Sequence, residues 1–327
     1  MTRISYFARM RESLGEIARY SRSKDMSSVH IQPDSHISPE GSTDRRIGLI
    51  AGWGNFPVRV AQTLKSDGYQ VYCMAIKDHA DPRLADICDD YREFGMGRMG
   101  AQIRYLKSAG VVHATLAGKV FKTKLFERFS VIRHFPDLTF WRHFYPVFLT
   151  KTVDRKDDTL LLTVTRLYAA SGIEFLPATD YAPELLVKQG TLTNRKPTDA
   201  QWKDIRFGWT AAKEMGRLDI GQSVIVKDRA VIAVEAIEGT DACIVRSGEL
   251  CRSGGMTLVK VAKPNQDMRF DVPTIGEGTV ETLHKAGGKV IAIEAGKTIL
   301  LDQEATIATA NKLGITIVAT AASEMVQ

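Results

Sequence analysis

The sequence predicts an α/β protein: a Rossmann-like domain with a parallel sheet in the N-terminal half, then a second, distinct α/β domain. Three observations carry this. Apolar runs such as Ile47 to Ala51 and Val71 to Ile76 lack the alternation of a half-exposed strand and suit strands buried on both faces. Stretches of helical pattern separate those runs. The chain has 327 residues, a length that favours two domains over one.

Residues 1–45 form an N-terminal extension. In Met1 to Tyr20, Ile4, Met10, Leu14, Ile17 and Ala18 recur at helical spacing among four arginines. That is either a short amphipathic helix able to lie on a membrane or a frayed tail. Ser21 to Asp44 reads as linker. The first folded domain spans 46–184. A buried strand over Ile47–Ala51 leads into the glycine turn Gly52-Trp53-Gly54-Asn55-Phe56-Pro57 and a helix over Val58–Ser66. Then come a strand over Tyr69–Ile76, a helix over Gly100–Ser108, a strand over Val111–Ala117, a helix over Asp157–Ser171 and a short strand over Gly172–Leu176. The second domain spans 185–327 and is entered through a polar linker, Gly190 to Pro197. It opens with a helix over Asp199–Glu214. Strands follow over Ser223–Val226, Ala230–Ala236 and Met256–Val261, and helix signals return only after Gly278. There the pattern gives a helix over Thr279–Ala286, a strand over Val290–Glu294, a helix over Asp302–Leu313 and a strand over Thr316–Ala319.

A formal net charge of +6 suits acidic partners such as phosphates or an anionic membrane surface and falls short of a nucleic-acid signature. None of the four cysteines forms a CxxC pair, and Cys243 and Cys251 lack nearby histidines at metal-ligand spacing. A chain this large needs no disulfide framework, and a reducing cytoplasm suits it better. Cys73, inside an apolar run, reads as core. No apolar run reaches the roughly 18 residues that a membrane-spanning helix needs.

Five segments can carry chemistry. Gly52-x-Gly54-x-x-Pro57 follows a strand and opens a helix. Its first glycine permits a positive-φ turn, and the helix N-terminus beyond suits a phosphate. Pro57 replaces the third glycine of the dinucleotide fingerprint and argues against a nicotinamide. Lys119 follows a predicted strand, on the side of a parallel sheet where ligands bind. Arg217-Leu218-Asp219-Ile220-Gly221-Gln222, if extended, sets a guanidinium and a carboxylate on one side, for a metal-bound phosphate or a structural ion pair. Glu235, Glu238 and Asp241 crowd three carboxylates around the turn Gly239-Thr240, and such crowding calls for a cation. In the stretch from Lys263 to Gly276, Lys263 and Arg269 can hold negative charge. Asp271, held extended before Val272-Pro273, can hold Mg²⁺ or orient a water, and Thr274 and Gly276 open a further helix N-terminus. The aromatic-basic stretch Phe126 to Phe148 can face acyl chains or form core with a snorkelling rim.

Together these blocks resemble one family, the UDP-2,3-diacylglucosamine pyrophosphatases of lipid A biosynthesis, of the type with two unusual α/β domains rather than the metallophosphoesterase type. The resemblance rests on Gly48-Leu49-Ile50-Ala51-Gly52-x-Gly54-x-x-Pro57, Leu116-Ala117-Gly118-Lys119-Val120 and Arg155-Lys156-Asp157-Asp158-Thr159-Leu160-Leu161. It continues through Glu214 to Gln222, Val234 to Ala242 and Asp271-Val272-Pro273-Thr274-Ile275-Gly276. It implies hydrolysis of UDP-2,3-diacylglucosamine to UMP and 2,3-diacylglucosamine 1-phosphate, with Mg²⁺, in an interdomain cleft, by a cytoplasmic protein peripheral to the inner membrane. On this reading Asp271, Asp241 and Lys263 are catalytic, and Asp271, Asp241 and Glu238 are the metal ligands. Gly52, Gly54, Asn55, Lys119, Arg217, Asp219, Gln222, Gly239, Thr240, Gln266, Thr274 and Gly276 bind substrate. The partner is a lipid-linked UDP-sugar, and a homo-oligomer stays open. The alternatives are a nicotinamide-dependent oxidoreductase, which lacks a recognisable catalytic His or Tyr-Lys set, and a non-catalytic regulator that binds nucleotide sugars.

Overall fold

The structure, a computed structural model, describes residues 45–118, 137–140, 142, 157–269 and 271–325. The expected N-terminal helix and linker, Lys119, and nearly all of the aromatic-basic stretch lie outside these residues.

The N-terminal half is built on β1 (Arg46–Ala51), β2 (Gln70–Ile76), β3 (Asp90–Phe94), β4 (His113–Ala117) and β5 (Glu174–Phe175), all parallel, in the order β3-β2-β1-β4-β5. Successive side chains of a strand point to opposite faces, and this sheet buries both. Ile47, Leu49 and Ala51 of β1 and Val71, Cys73 and Ala75 of β2 pack with Val58, Val60, Ala61 and Leu64 of helix α1 (Phe56–Ser66). On the other face Ile50, Met74 and Ile76 meet α3 (Met99–Ser108) and α4 (Asp157–Ala169) through Ile103, Leu106, Leu167 and Tyr168. Each large side chain buried this way contributes about 1.5–3 kcal/mol. A short helix α2 (Leu84–Ile87) precedes β3, and another, α5 (Ala178–Tyr181), follows β5. The sequence pattern missed β3 because Asp90, Arg92 and Glu93 give this edge strand a polar, partly exposed surface.

The second half carries a mixed sheet in the order β6-β13-β11-β9-β7-β8. Its centre is parallel: β9 (Thr257–Lys260), β11 (Val290–Glu294) and β13 (Thr316–Thr320). The edges are antiparallel: β6 (Gly190–Thr191) on one side, β7 (Ser223–Lys227) and β8 (Ala230–Val234) on the other. The expected linker is thus corrected at its start, since Gly190 and Thr191 pair with Ala319 and Val318. One face packs Val224, Val226, Val259, Val290 and Ala292 on Ile205, Trp209 and Ala212 of α6 (Asp199–Arg217). That helix begins at a capping box in which Thr198 and Gln201 satisfy each other's backbone N–H groups. The other face packs on α7 (Thr240–Leu250), α8 (Glu277–Lys285) and α9 (Gln303–Leu313). Helix α7 overturns the expectation that helices return only after Gly278. Its apolar stripe is only Cys243 and Ile244 with the buried Ser247, too short a signal against Thr, Asp, Gly and β-branched neighbours. A small parallel pair, β10 (Thr274–Ile275) with β12 (Ile299–Leu300), completes this half. No helix among the described residues is long and apolar enough to cross a membrane.

Helix α6 approaches its sheet closely at Gly208, where an added Cβ would lie 2.7 Å from Val259 Cγ2 and 3.0 Å from Val226 Cγ2. We expect Gly208→Ala to lower stability by about 1–3 kcal/mol through overpacking. Urea denaturation would show this as an earlier midpoint, whereas an unchanged midpoint would mean that the helix and sheet can separate without penalty.

Candidate active site

The site grows from the ends of β9, α6 and β11. Glu294, the last residue of β11, is 1% exposed. Its Oε2 accepts from Lys213 Nζ at 2.6 Å and from the Ala262 N–H at 2.9 Å. Its Oε1 lies 3.2 Å from Lys297 Nζ. Lys213 Nζ also donates to the Ala262 carbonyl at 2.8 Å. Both backbone groups of Ala262 are therefore held by one ion pair. The next residue, Lys263, leaves the sheet in a fixed direction.

Lys263 Nζ lies 2.7 Å from Asp219 Oδ1 and 3.7 Å from Asp271 Oδ2. All three side chains are partly buried. Two carboxylates at one place repel unless a cation stands with them, and the ammonium does so here. Gln266 closes the loop: its Oε1 accepts from the Lys263 N–H at 2.7 Å, and its Nε2 donates to the Asp271 carboxylate and to the Asp271 carbonyl. Arg269 is committed to Asp267, with Nη2 2.5 Å from Oδ2.

Asp219 reaches this point by a left-handed backbone, φ 56°, just past the end of α6. Arg217 and Asp219 would share a side only in an extended stretch, and the stretch is not extended. Arg217 is the last helical residue and bridges to Glu214 at 3.0 Å, whereas Asp219 turns inward to Lys263. The chain then presses Gly221 so closely on the Glu235 carbonyl that a Cβ there would collide with it. Gln222 gives its carbonyl to the Val261 N–H at 3.1 Å.

The acidic turn divides its carboxylates. Glu238 turns to Arg246, 2.5 Å away. Its own backbone amide, and then Arg246, hold its carboxyl below the ordinary range. Asp241, exposed in the first turn of α7, accepts from Thr279 Oγ1 at 3.2 Å. Glu235, the third carboxylate of this turn, is buried and accepts from Thr240 Oγ1 at 2.8 Å. Among the described residues no three His, Cys, Asp or Glu side chains gather as a metal-binding group. Asp271, Asp241 and Glu238 are therefore not one cage. Cys243 lies behind this turn, and burial pushes its thiol up to about 11, so it stays protonated near neutral pH.

The glycine turn lies at the ends of β1 and β4, where the strand order reverses. The positive φ belongs to Gly54 (107°) and not to Gly52. Gly52 donates its N–H to Ala117, and Gly118 is pressed against Pro57, the Trp53 carbonyl and Gly52. Asn55 connects this turn to the second half: its Nδ2 donates to both oxygens of Asp302, at 3.1 and 3.2 Å, and its Oδ1 accepts from Arg83. Gly276 is the N-cap of α8, and Thr274 precedes it in β10. Apolar side chains stand exposed on the same loops: Trp53 beside Gly54, Leu218 and Ile220 flanking Asp219, and a fully exposed Ile237 beside Glu238.

Residues 46–185 match the LpxI N-terminal domain and residues 188–318 the LpxI C-terminal domain. The chain belongs to the LpxI family. A curated relative from Caulobacter vibrioides, "UDP-2,3-diacylglucosamine pyrophosphatase LpxI", is 34% identical over 281 residues, covering 83% of this chain and 96% of the relative. Asp219, Lys263 and Asp271 all fall within the LpxI C-terminal domain.

The left-handed turn at Asp219 makes a stability prediction. Asn tolerates that backbone, whereas a β-branched residue does not. We expect Asp219→Val to be about 1–2 kcal/mol less stable than Asp219→Asn. Equal urea midpoints for the two variants would contradict the turn geometry.

Proposed function

We propose that the chain hydrolyses the diphosphate of UDP-2,3-diacylglucosamine, giving UMP and 2,3-diacylglucosamine 1-phosphate. The observation that carries this is Lys263 standing between Asp219 and Asp271, in a chain that is an LpxI family member along nearly all of its folded length. A diphosphate concentrates negative charge, and its cleavage needs that charge countered and a water aligned.

Asp219 and Asp271 fit Mg²⁺ in the way that ion usually binds: one or two carboxylates, with phosphate oxygens filling the remaining positions. When bound, Mg²⁺ would counter the charge that builds on the diphosphate during cleavage. Asp241 and Glu238, which have other partners, stand outside that pair. Lys263 contributes a fixed positive charge to a phosphoryl oxygen. Asp271, oriented by Gln266, aligns the attacking water and takes its proton. The water oxygen bonds to one phosphorus, and the bridging oxygen leaves with the other. The N-termini of α1 and α8 offer N–H groups to phosphate, and the Gly52–Gly54 turn takes part of the nucleotide. The exposed Leu218, Ile220 and Ile237 offer apolar contact to a substrate that carries acyl chains and support work at the cytoplasmic face of the inner membrane.

The test incubates purified protein with the lipid-linked UDP-sugar and Mg²⁺ and follows UMP. We expect metal-dependent release that EDTA stops, and loss of about a hundredfold to a thousandfold in kcat for a folded Asp271→Ala variant, the scale seen when a group acting on the transition state is removed. Binding without UMP would point to a nucleotide-sugar regulator. Near-normal turnover by Asp271→Ala would defeat the role given to that carboxylate.

A further inference from the structure

Lys260 is a lysine on the central strand β9 with only 6% of its surface exposed. A buried ammonium is costly unless it is paired and hydrogen-bonded. Its contacts explain what holds it. Nζ donates to Thr240 Oγ1 at 2.9 Å and to the Thr274 carbonyl at 3.1 Å. Thr240 in turn donates to Glu235 Oε1 at 2.8 Å, and Glu235 is likewise buried.

These contacts join three segments that are distant in sequence. Thr240 is the first residue of α7, so it sets the position of that helix N-terminus and of Asp241 beside it. Thr274 follows Asp271-Val272-Pro273 and precedes Gly276, the N-cap of α8. Glu235 carries the carbonyl against which Gly221 is packed, and Gly221 lies two residues after Asp219. One ammonium thus connects the wall that carries Asp271, the wall that carries Asp241 and the turn leading back to Asp219. A neutral side chain of the same length would leave the Thr240 hydroxyl and the Thr274 carbonyl without this donor.

We propose that Lys260 is a positioning residue: through Thr240 and Thr274 it holds the N-terminal turn of α7 and the Asp271–Gly276 segment in the register that the diphosphate requires. The proposal rests on the hydrolase reading for its kinetic consequence but not for its structural one, so two readouts separate the two ideas. Hydrogen exchange of the whole chain reports the positioning directly. We expect faster exchange at Thr240–Cys243 and Thr274–Gly276 in Lys260→Met and in Thr240→Val, with near-wild-type protection in Thr240→Ser, which keeps the hydroxyl. UMP release reports the consequence. We expect kcat to fall at least about tenfold in Lys260→Met and Thr240→Val, with KM changed much less and activity restored in Thr240→Ser. The losses in the Lys260→Met/Thr240→Val double variant should not multiply, because both remove one linkage. If Lys260→Met fails to fold, the Thr240 pair decides alone: equal exchange in Val and Ser variants overturns the proposal. Unchanged exchange in a folded Lys260→Met variant also overturns it, as do multiplying losses. A wild-type protein that releases no UMP defeats the hydrolase reading instead, while the exchange data still judge Lys260.

Discussion

A carboxylate buried at the end of β11 sets the terms for the second half of the molecule. Glu294 is almost wholly out of water, and an uncompensated charge there would cost several kcal/mol. It is held by two lysines and one backbone N–H, and that N–H belongs to Ala262. Lys213 takes the Ala262 carbonyl as well. The compensation of one charge therefore fixes where β9 ends relative to α6 and β11. Lys263 lies three residues past the end of β9, directly after Ala262, and Asp219 lies two residues past the end of α6. Their 2.7 Å contact is a consequence of that clamp.

The first half contributes differently. Its five parallel strands bury both faces, and its Gly52–Gly54 turn is shaped by close backbone approach rather than by ion pairs. Gly118 packs on Gly52 and on the Trp53 carbonyl, distances that leave no room for a side chain. The Asn55–Asp302 hydrogen bonds then join this turn to the N-cap of α9 in the second half. The arrangement sets backbone N–H groups and glycines on one side and charged side chains on the other. That division suits the proposed substrate, with a nucleotide at one end and a diphosphate in the middle.

Much of the fold was legible in the sequence because burial on both faces leaves unbroken apolar runs, as in β1, β2, β11 and β13. Elements without such a signature were missed. Strand β3 is polar, β6 is two residues long, and α7 hides a short apolar stripe among poor helix formers. The residues of the site were partly legible: Asp219, Lys263, Gln266 and Asp271 were all singled out, but their mutual contacts were not. Asp219 and Lys263 are 44 residues apart, and no periodicity reports a contact across such a separation. The acidic turn misled for a physical reason. Local crowding of Glu235, Glu238 and Asp241 suggested one cation site, yet folding sends the three to Thr240, Arg246 and Thr279. Lys260 and Glu294 gave no signal, since a lone charge in an apolar strand carries nothing local that reports its distant partners.

The account turns on Lys263 and its two carboxylates being the place where the diphosphate rests. A crystal structure with a non-hydrolysable UDP-2,3-diacylglucosamine analogue tests that most directly. The account predicts a phosphoryl oxygen in hydrogen-bonding contact with Lys263 Nζ and the nucleotide end against the Gly52–Gly54 turn. A diphosphate bound elsewhere, with Lys263 still closed between Asp219 and Asp271, would contradict it.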